Sequence, residues 1–315
     1  MTLPTSLTKT FDTSLVDVNR SFSSTNTDTS GSSSSVKENQ KPQLCLVPEL
    51  STDPTGRAVS TSDLYDRWAA THDDMDGAVL QAVDDMQMRE WIPQLVSALQ
   101  QRAGRKTGRA IAVLDVECRT GRNMLELLQQ QWSTPTTVVG WDASPAMLEV
   151  ARERWASVQT KSQPSSVARG HWEAVDFSNP KSISSIYERA FDGLISTLAL
   201  EHIELSAFFA VVAKVLRPGG CAFVTNMHPE MGRRIQIRYK TEEGGRRGET
   251  SYLHGVEATV VGAKAAGLEV LGNGAEEVAV SEEMVKKGLV DERGRKWVGV
   301  KVWYGLWLRA PDEVR

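Results

Sequence analysis

Between residues 110 and 227 short apolar runs alternate with segments of helical period, and few folds satisfy that order. AIAVLDV at 110–116, TTVVGWD at 136–142, ARGHWEAVD at 168–176, FDGLISTLA at 191–199 and GGCAFVTNM at 219–227 read as strands. Between them, NMLELLQQQ, SPAMLEVARERWASV and SAFFAVVAKVL read as helices, the second marked by Ser144 at an N-cap position and Pro145 in the first turn. A strand that is apolar on both sides needs cover on both faces. Strands that alternate with helices therefore predict a parallel sheet layered between helices, the α/β class.

The flanks differ from this body. Residues 1–58 are rich in Ser and Thr, including SFSSTNTDTSGSSSS at 21–35, and lack periodic apolar positions. Such a segment buries too little apolar surface to offset its ordering entropy, so a disordered tail is expected, followed by one domain over 59–315. Leading helices are expected over 64–103, with Pro93 starting or kinking a segment. A hairpin-like insertion is expected over 233–253; its six basic residues, diluted by Glu242 and Glu243, read as a solvated face. Late strands at 268–280 and 298–310 close the chain, and Trp303 and Trp307 there fit sheet packing.

Composition narrows the functions. With 36 basic against 40 acidic residues in 315, the net charge of −4 gives no general attraction to nucleic acid or to an anionic membrane, so a small-molecule partner is expected. No apolar stretch is long enough for a bilayer span. Cys45, Cys118 and Cys221 are too far apart in sequence for a disulfide framework, which points to a reducing, cytoplasmic location. The histidines and cysteines show no metal-ligand spacing, and no metal is expected.

In doubly wound sheets a ligand sits beyond the carboxyl ends of the strands, where the strand order reverses. Asp115 and the loop to Gly121 end the first strand here, and Asp142 ends the second, placed to accept ribose hydroxyls. Alone, that pattern also suits a nicotinamide-dependent dehydrogenase. The surrounding segments discriminate. GWDASPAMLEVAR at 140–152, VDF at 175–177, FDGLISTLALEHI at 191–203 and VAKVLRPGGCAFVTNMH at 212–228 resemble, in order and spacing, the successive motifs of class I S-adenosylmethionine-dependent methyltransferases. YDRWAATHDD at 65–74 looks like the first helix of small-molecule members related to the ubiquinone-biosynthesis type, with His72 in place of a second tyrosine. The sequence as a whole is similar to fungal secondary-metabolism methyltransferases, including those acting on peptide or polyketide products.

The resemblance implies a Rossmann-like, doubly wound, mostly parallel seven-stranded sheet, with S-adenosyl-L-methionine as cofactor and methyl transfer to a small-molecule acceptor as activity. It also implies roles by position. Asp142 would bind the ribose hydroxyls, with Ala143 and Met147 near the adenine. Asp176 and the Phe177 N–H would read the adenine edge. Thr197 and Leu198 would line the methionine arm, and Tyr65 and Trp68 would close over the cofactor. His228 and His202 are the candidate bases, with His254 a further histidine near a late helix.

One feature departs from the family. Its loop reads D-x-G-x-G-x-G, whereas this chain has D-V-E-C-R-T-G, so Glu117 and Arg119 replace glycines and only Gly121 remains. A Cβ strains a glycine-only conformation, and the Glu117 carboxylate would repel the cofactor's carboxylate. Arg119 could offset this by pairing with either group. A non-catalytic binding or regulatory protein of the same fold therefore stays open as a reading.

Overall fold

The computed structural model describes residues 44–45, 79–105, 109–161, 167–177, 183–234, 239–240, 246–247 and 251–312. The strands are β1 (Ile111–Val116), β2 (Thr136–Asp142), β3 (Ala168–Ala174), β4 (Phe191–Thr197), β5 (Leu216–Met227), β6 (Glu269–Val270), β7 (Glu276–Ala279) and β8 (Lys301–Arg309). The helices are α1 (Val79–Arg105), α2 (Arg122–Gln129), α3 (Pro145–Lys161), α4 (Leu205–Val215), α5 (Pro229–Gly232), α6 (Val256–Ala265) and α7 (Glu282–Lys286).

These strands form one sheet in the order β6-β8-β5-β4-β1-β2-β3, with β7 also paired to β8. The first five strands run parallel, and β8 is antiparallel to β5. Both β6 and β7 lie antiparallel on the outer edge of β8, so eight segments fill seven positions and 269–279 is one interrupted edge strand. The order reverses between β1 and β4, which opens a crevice at their carboxyl ends.

Side-chain alternation builds two cores. Ile111 and Val113 of β1 face a layer that includes α1 and α2, while Leu114 and Val116 face one that includes α4 and α6. The same alternation in β8 sends Trp303 to the first layer and Tyr304, Leu306 and Leu308 to the second. Trp91 of α1 stacks on Phe223 with centroids 4.5 Å apart and meets Trp303 edge-on at 5.3 Å. Gly305 makes room for this cluster, because a Cβ there would lie 2.7 Å from the Trp91 ring. The tryptophans of β8 thus serve packing, as their spacing suggests.

Pro93 lies inside α1 rather than starting a helix, and α1 continues through Arg105. Of the expected insertion, Tyr239–Lys240 pairs antiparallel with Arg246–Arg247, and Ser251–Tyr252 pairs with Leu44–Cys45. The remainder of the 1–58 tail and the leading segment 64–78 lie outside the described residues.

The apolar face of α1 is interrupted by one fully buried carboxylate. Asp84 accepts hydrogen bonds from Arg122 of α2 at 2.6 Å, from the Thr225 hydroxyl of β5 at 2.7 Å and from Trp303 Nε1 of β8 at 2.8 Å. Arg122 also pairs with Asp85. Removing one member of a buried pair costs about 3 to 5 kcal/mol, because the remaining charge has no water to turn to. Arg122→Met should therefore lower the urea-unfolding free energy by about that amount. The Arg122→Met, Asp84→Leu double variant should lose less than the sum of the two single losses; strict additivity would show that the two side chains do not act as a pair.

Candidate cofactor site

The loop from β1 to α2 carries the altered glycine motif, and its backbone answers the question the sequence raises. Glu117 has φ 56°, Arg119 φ 51° and Gly121 φ 80°, three left-handed residues at alternate positions. The first two therefore adopt the conformation for which glycine is normally used, at about 1 to 2 kcal/mol each. Contacts with the end of β2 hold them there. Cys118 N donates to the Trp141 carbonyl at 2.9 Å, Arg119 N to Asp142 Oδ2 at 2.7 Å, and Gly121 N to the Cys118 carbonyl at 2.8 Å. Gly121 must stay glycine for space as well as for φ, since a Cβ would approach the Ala151 Cβ to 2.9 Å. The loop thus carries side chains at two positions whose backbone is left-handed.

Asp142 closes the β2 side. Its Oδ1 accepts from Ser144 N at 2.8 Å and its Oδ2 from Arg119 N, which fixes the carboxylate plane. Ser144 caps α3, its Oγ accepting from Met147 N at 3.1 Å. On the β4 side, Thr197 Oγ1 accepts from Asn123 Nδ2 at 2.8 Å, and the Leu198 carbonyl accepts from the Arg119 guanidinium at 2.7 Å. Leu198 is itself left-handed, with φ 55°. Asp115, Glu117, Arg119, Arg122, Asn123 and Thr197 line the cleft between these strand ends.

The cleft is rich in acceptors. Asp115 is buried, receives the Met124 N–H, and has an Oδ2 that meets no donor among the described residues. Burial pushes its carboxyl up to about 8 against the opposing charge of Arg122, and Asp142 adds to the rise. Glu117 is raised in the same way, by burial and then by Asp142, with His202 and Arg119 opposing. A site of this kind suits a ligand that presents hydroxyls and positive charge.

At the other end of the crevice Asp176 is exposed, close enough to Glu117 to influence its ionisation. The Phe177 side chain is buried in the core against Phe208. Met147 is fully buried, and Ala143 lies half-buried in the turn before Ser144. Tyr65, Trp68 and His72 lie outside the described residues.

The histidines separate by geometry. His202 sits in the short 3-10 turn Leu200–His202 just past β4, with Nε2 3.5 Å from Glu201 Oε1. His228 instead caps α5: its Nδ1 accepts from Glu230 N at 3.1 Å and its Nε2 bonds Glu277 at 2.9 Å. Both ring nitrogens are engaged, so His228 offers no lone pair to an incoming substrate. His254 is buried and bonds the Leu200 and Ile203 carbonyls at 2.9 and 2.8 Å, pinning the turn that bears His202 instead of capping α6.

Sequence reasoning missed Arg122, Asn123 and Asp84, which support Thr197 and the cleft floor. The one signal was an acidic pair, Asp84 and Asp85, within an otherwise amphipathic helix; its partners lie 37 to 219 residues away. The raised Asp115 carboxyl has a consequence for stability. Between the ordinary 3.8 and about 8 the folded chain keeps a proton that the unfolded chain sheds, so stability falls as pH rises through that window. Thermal melts of Asp115→Asn from pH 4 to 8 should show a shallower decline than the unsubstituted chain, and an identical slope would place the ionised form in the fold.

Comparison with known proteins identifies the family. A sequence profile of a methyltransferase domain matches residues 113–220, which span β1 to the start of β5. An uncharacterized methyltransferase of Emericella nidulans is 38% identical over 264 residues, covering 79% of this chain and 90% of that protein. Among solved structures, an S-adenosylmethionine-dependent methyltransferase from Mesorhizobium loti gives a TM-score of 0.45 at 19% identity, covering 68% of this chain and 99% of the other. A putative sarcosine dimethylglycine methyltransferase from Galdieria sulphuraria gives 0.47 at 15% identity, covering 73% and 86%. With a relative this similar over most of both chains, and the strand order described above, the chain belongs to the class I S-adenosylmethionine-dependent methyltransferases.

Proposed function

We propose that this methyltransferase acts on a small-molecule acceptor, a secondary metabolite of peptide or polyketide type, in the cytosol. The observation that carries the catalytic reading is the left-handed backbone at 117, 119 and 121 beside an oriented Asp142, because strain held at a strand end is characteristic of a ligand-binding turn. The acceptor class is supported by the acidic overall charge and by the sequence likeness to small-molecule methyltransferases. No helix among the described residues is long and apolar enough to cross a membrane.

The cleft chemistry fits the cofactor. Asp142, held by two backbone N–H groups, accepts the ribose hydroxyls, and Asp176 with the Phe177 N–H reads the adenine edge. Thr197 and Leu198 line the methionine arm, where the buried Asp115 Oδ2 and the Leu198 carbonyl are acceptors for its ammonium. Bound S-adenosylmethionine supplies a methyl group that is already activated, so the protein's task is to align the acceptor and remove its proton. His202 takes that proton in this reading, because it lies close enough to Glu117 to oppose the rise of that carboxyl, whereas both nitrogens of His228 are occupied. The alternative, a non-catalytic protein of the same fold, is favoured by the Glu117 and Arg119 side chains that share the cleft.

Calorimetric titration with S-adenosylmethionine and S-adenosylhomocysteine tests the first step. Binding should be weakened by about 1 to 3 kcal/mol in Asp142→Ala, through lost ribose hydrogen bonds; equal affinity would remove Asp142 from the site. With an acceptor found by mass-spectrometric screening, His202→Ala should lower kcat roughly 100-fold or more while leaving S-adenosylhomocysteine affinity unchanged. Full turnover in that variant would remove His202 as the base, and an absence of any methylated product across the screen would favour the non-catalytic reading.

A further inference from the structure

Arg119 touches both ends of the cofactor cleft at once. Its backbone N–H bonds Asp142 Oδ2 on the β2 side, and its guanidinium bonds the Leu198 carbonyl past β4, each at 2.7 Å. It thus spans the crevice between the β1 loop and the β4 end, where the strand order reverses. The methionine arm brings one anionic group and one cationic donor. A carbonyl lining that arm can only accept, so the ammonium is the group it can receive. In this chain an internal cation already holds that carbonyl, and two cations at one acceptor repel.

We propose that Arg119 is an affinity-setting latch, an internal competitor for the carbonyl that receives the ammonium of the cofactor's methionine arm. Binding of the cofactor breaks the guanidinium contact with Leu198 and turns the side chain out of the arm's path. This rests on the reading that Thr197 and Leu198 line the arm. The glycine used by the family at 119 has no side chain to compete, so the substitution makes this chain a weaker binder that responds to higher cofactor concentration. The backbone bond to Asp142 belongs to any residue at 119 and survives replacement of the side chain.

The test is calorimetric titration of the full chain and of Arg119→Ala and Arg119→Gly with two probes. S-adenosylhomocysteine has the amino-acid arm, and 5′-methylthioadenosine lacks it. Alanine keeps the Cβ at φ 51° and so isolates the guanidinium, whereas glycine also relieves the backbone. Loss of one charged hydrogen-bond competitor should tighten S-adenosylhomocysteine roughly tenfold in both variants and leave 5′-methylthioadenosine unchanged. Unchanged or weaker S-adenosylhomocysteine binding in Arg119→Ala would overturn the latch, as would tightening confined to Arg119→Gly, which would place the effect in the backbone. Equal tightening of both probes would show general crowding rather than competition at the arm, and would overturn the latch too. If neither the full chain nor either variant bound S-adenosylhomocysteine, the cofactor-site reading would fall with it.

Discussion

A carboxylate without water must be given partners by the fold, and Asp84 receives them from α2, β5 and β8 together. Through Arg122 this group also sets the start of α2, which begins directly after the cofactor loop. Arg122 and Asn123 in turn hold the Thr197 hydroxyl at the β4 end. One buried ion pair thus couples the helix that covers the sheet to both walls of the cleft. Such a pair adds little net stability over an apolar substitute, but its directional contacts make any other arrangement of α1 costly.

The loop shows a second exchange of energy for geometry. Left-handed Glu117 and Arg119 cost a few kcal/mol together, and hydrogen bonds to the end of β2 offset that cost. The result is a cofactor loop with side chains in it, which the glycine-rich form cannot have. Glu117 brings a carboxylate near Asp142, Asp176 and His202, and Arg119 brings a cation to the β4 carbonyl. The charge balance of the cleft is therefore set by residues that in related loops are absent.

That balance also bears on the protonation of the cleft carboxyls. Asp115 and Glu117 are held partly or wholly neutral by burial and by Asp142. A cation brought among them favours their ionised forms, so binding a positively charged ligand draws on the same groups whose protonation favours the fold.

The α/β class, the five parallel strands, the capped α3 and the positions of Asp115 and Asp142 were legible in the sequence, because each follows from local periodicity or from a motif at fixed spacing. The split of the edge strand into β6 and β7 was not legible, since it depends on the register against β8. Nor was the conformation of the altered loop. The residue types at 117 and 119 argue against left-handed backbone, and only the β2 contacts outweigh that preference. The histidines show the same division. Their identities made all three plausible bases, but only tertiary packing decided that His228 is a cap bound to Glu277 and that His254 pins the turn of His202. By itself the sequence determined which groups the chain could bring to a crevice at the strand ends. The tertiary structure decided which of them face it, because hydrogen bonds and buried charges are satisfied by partners far away in the chain, and local pattern does not record them.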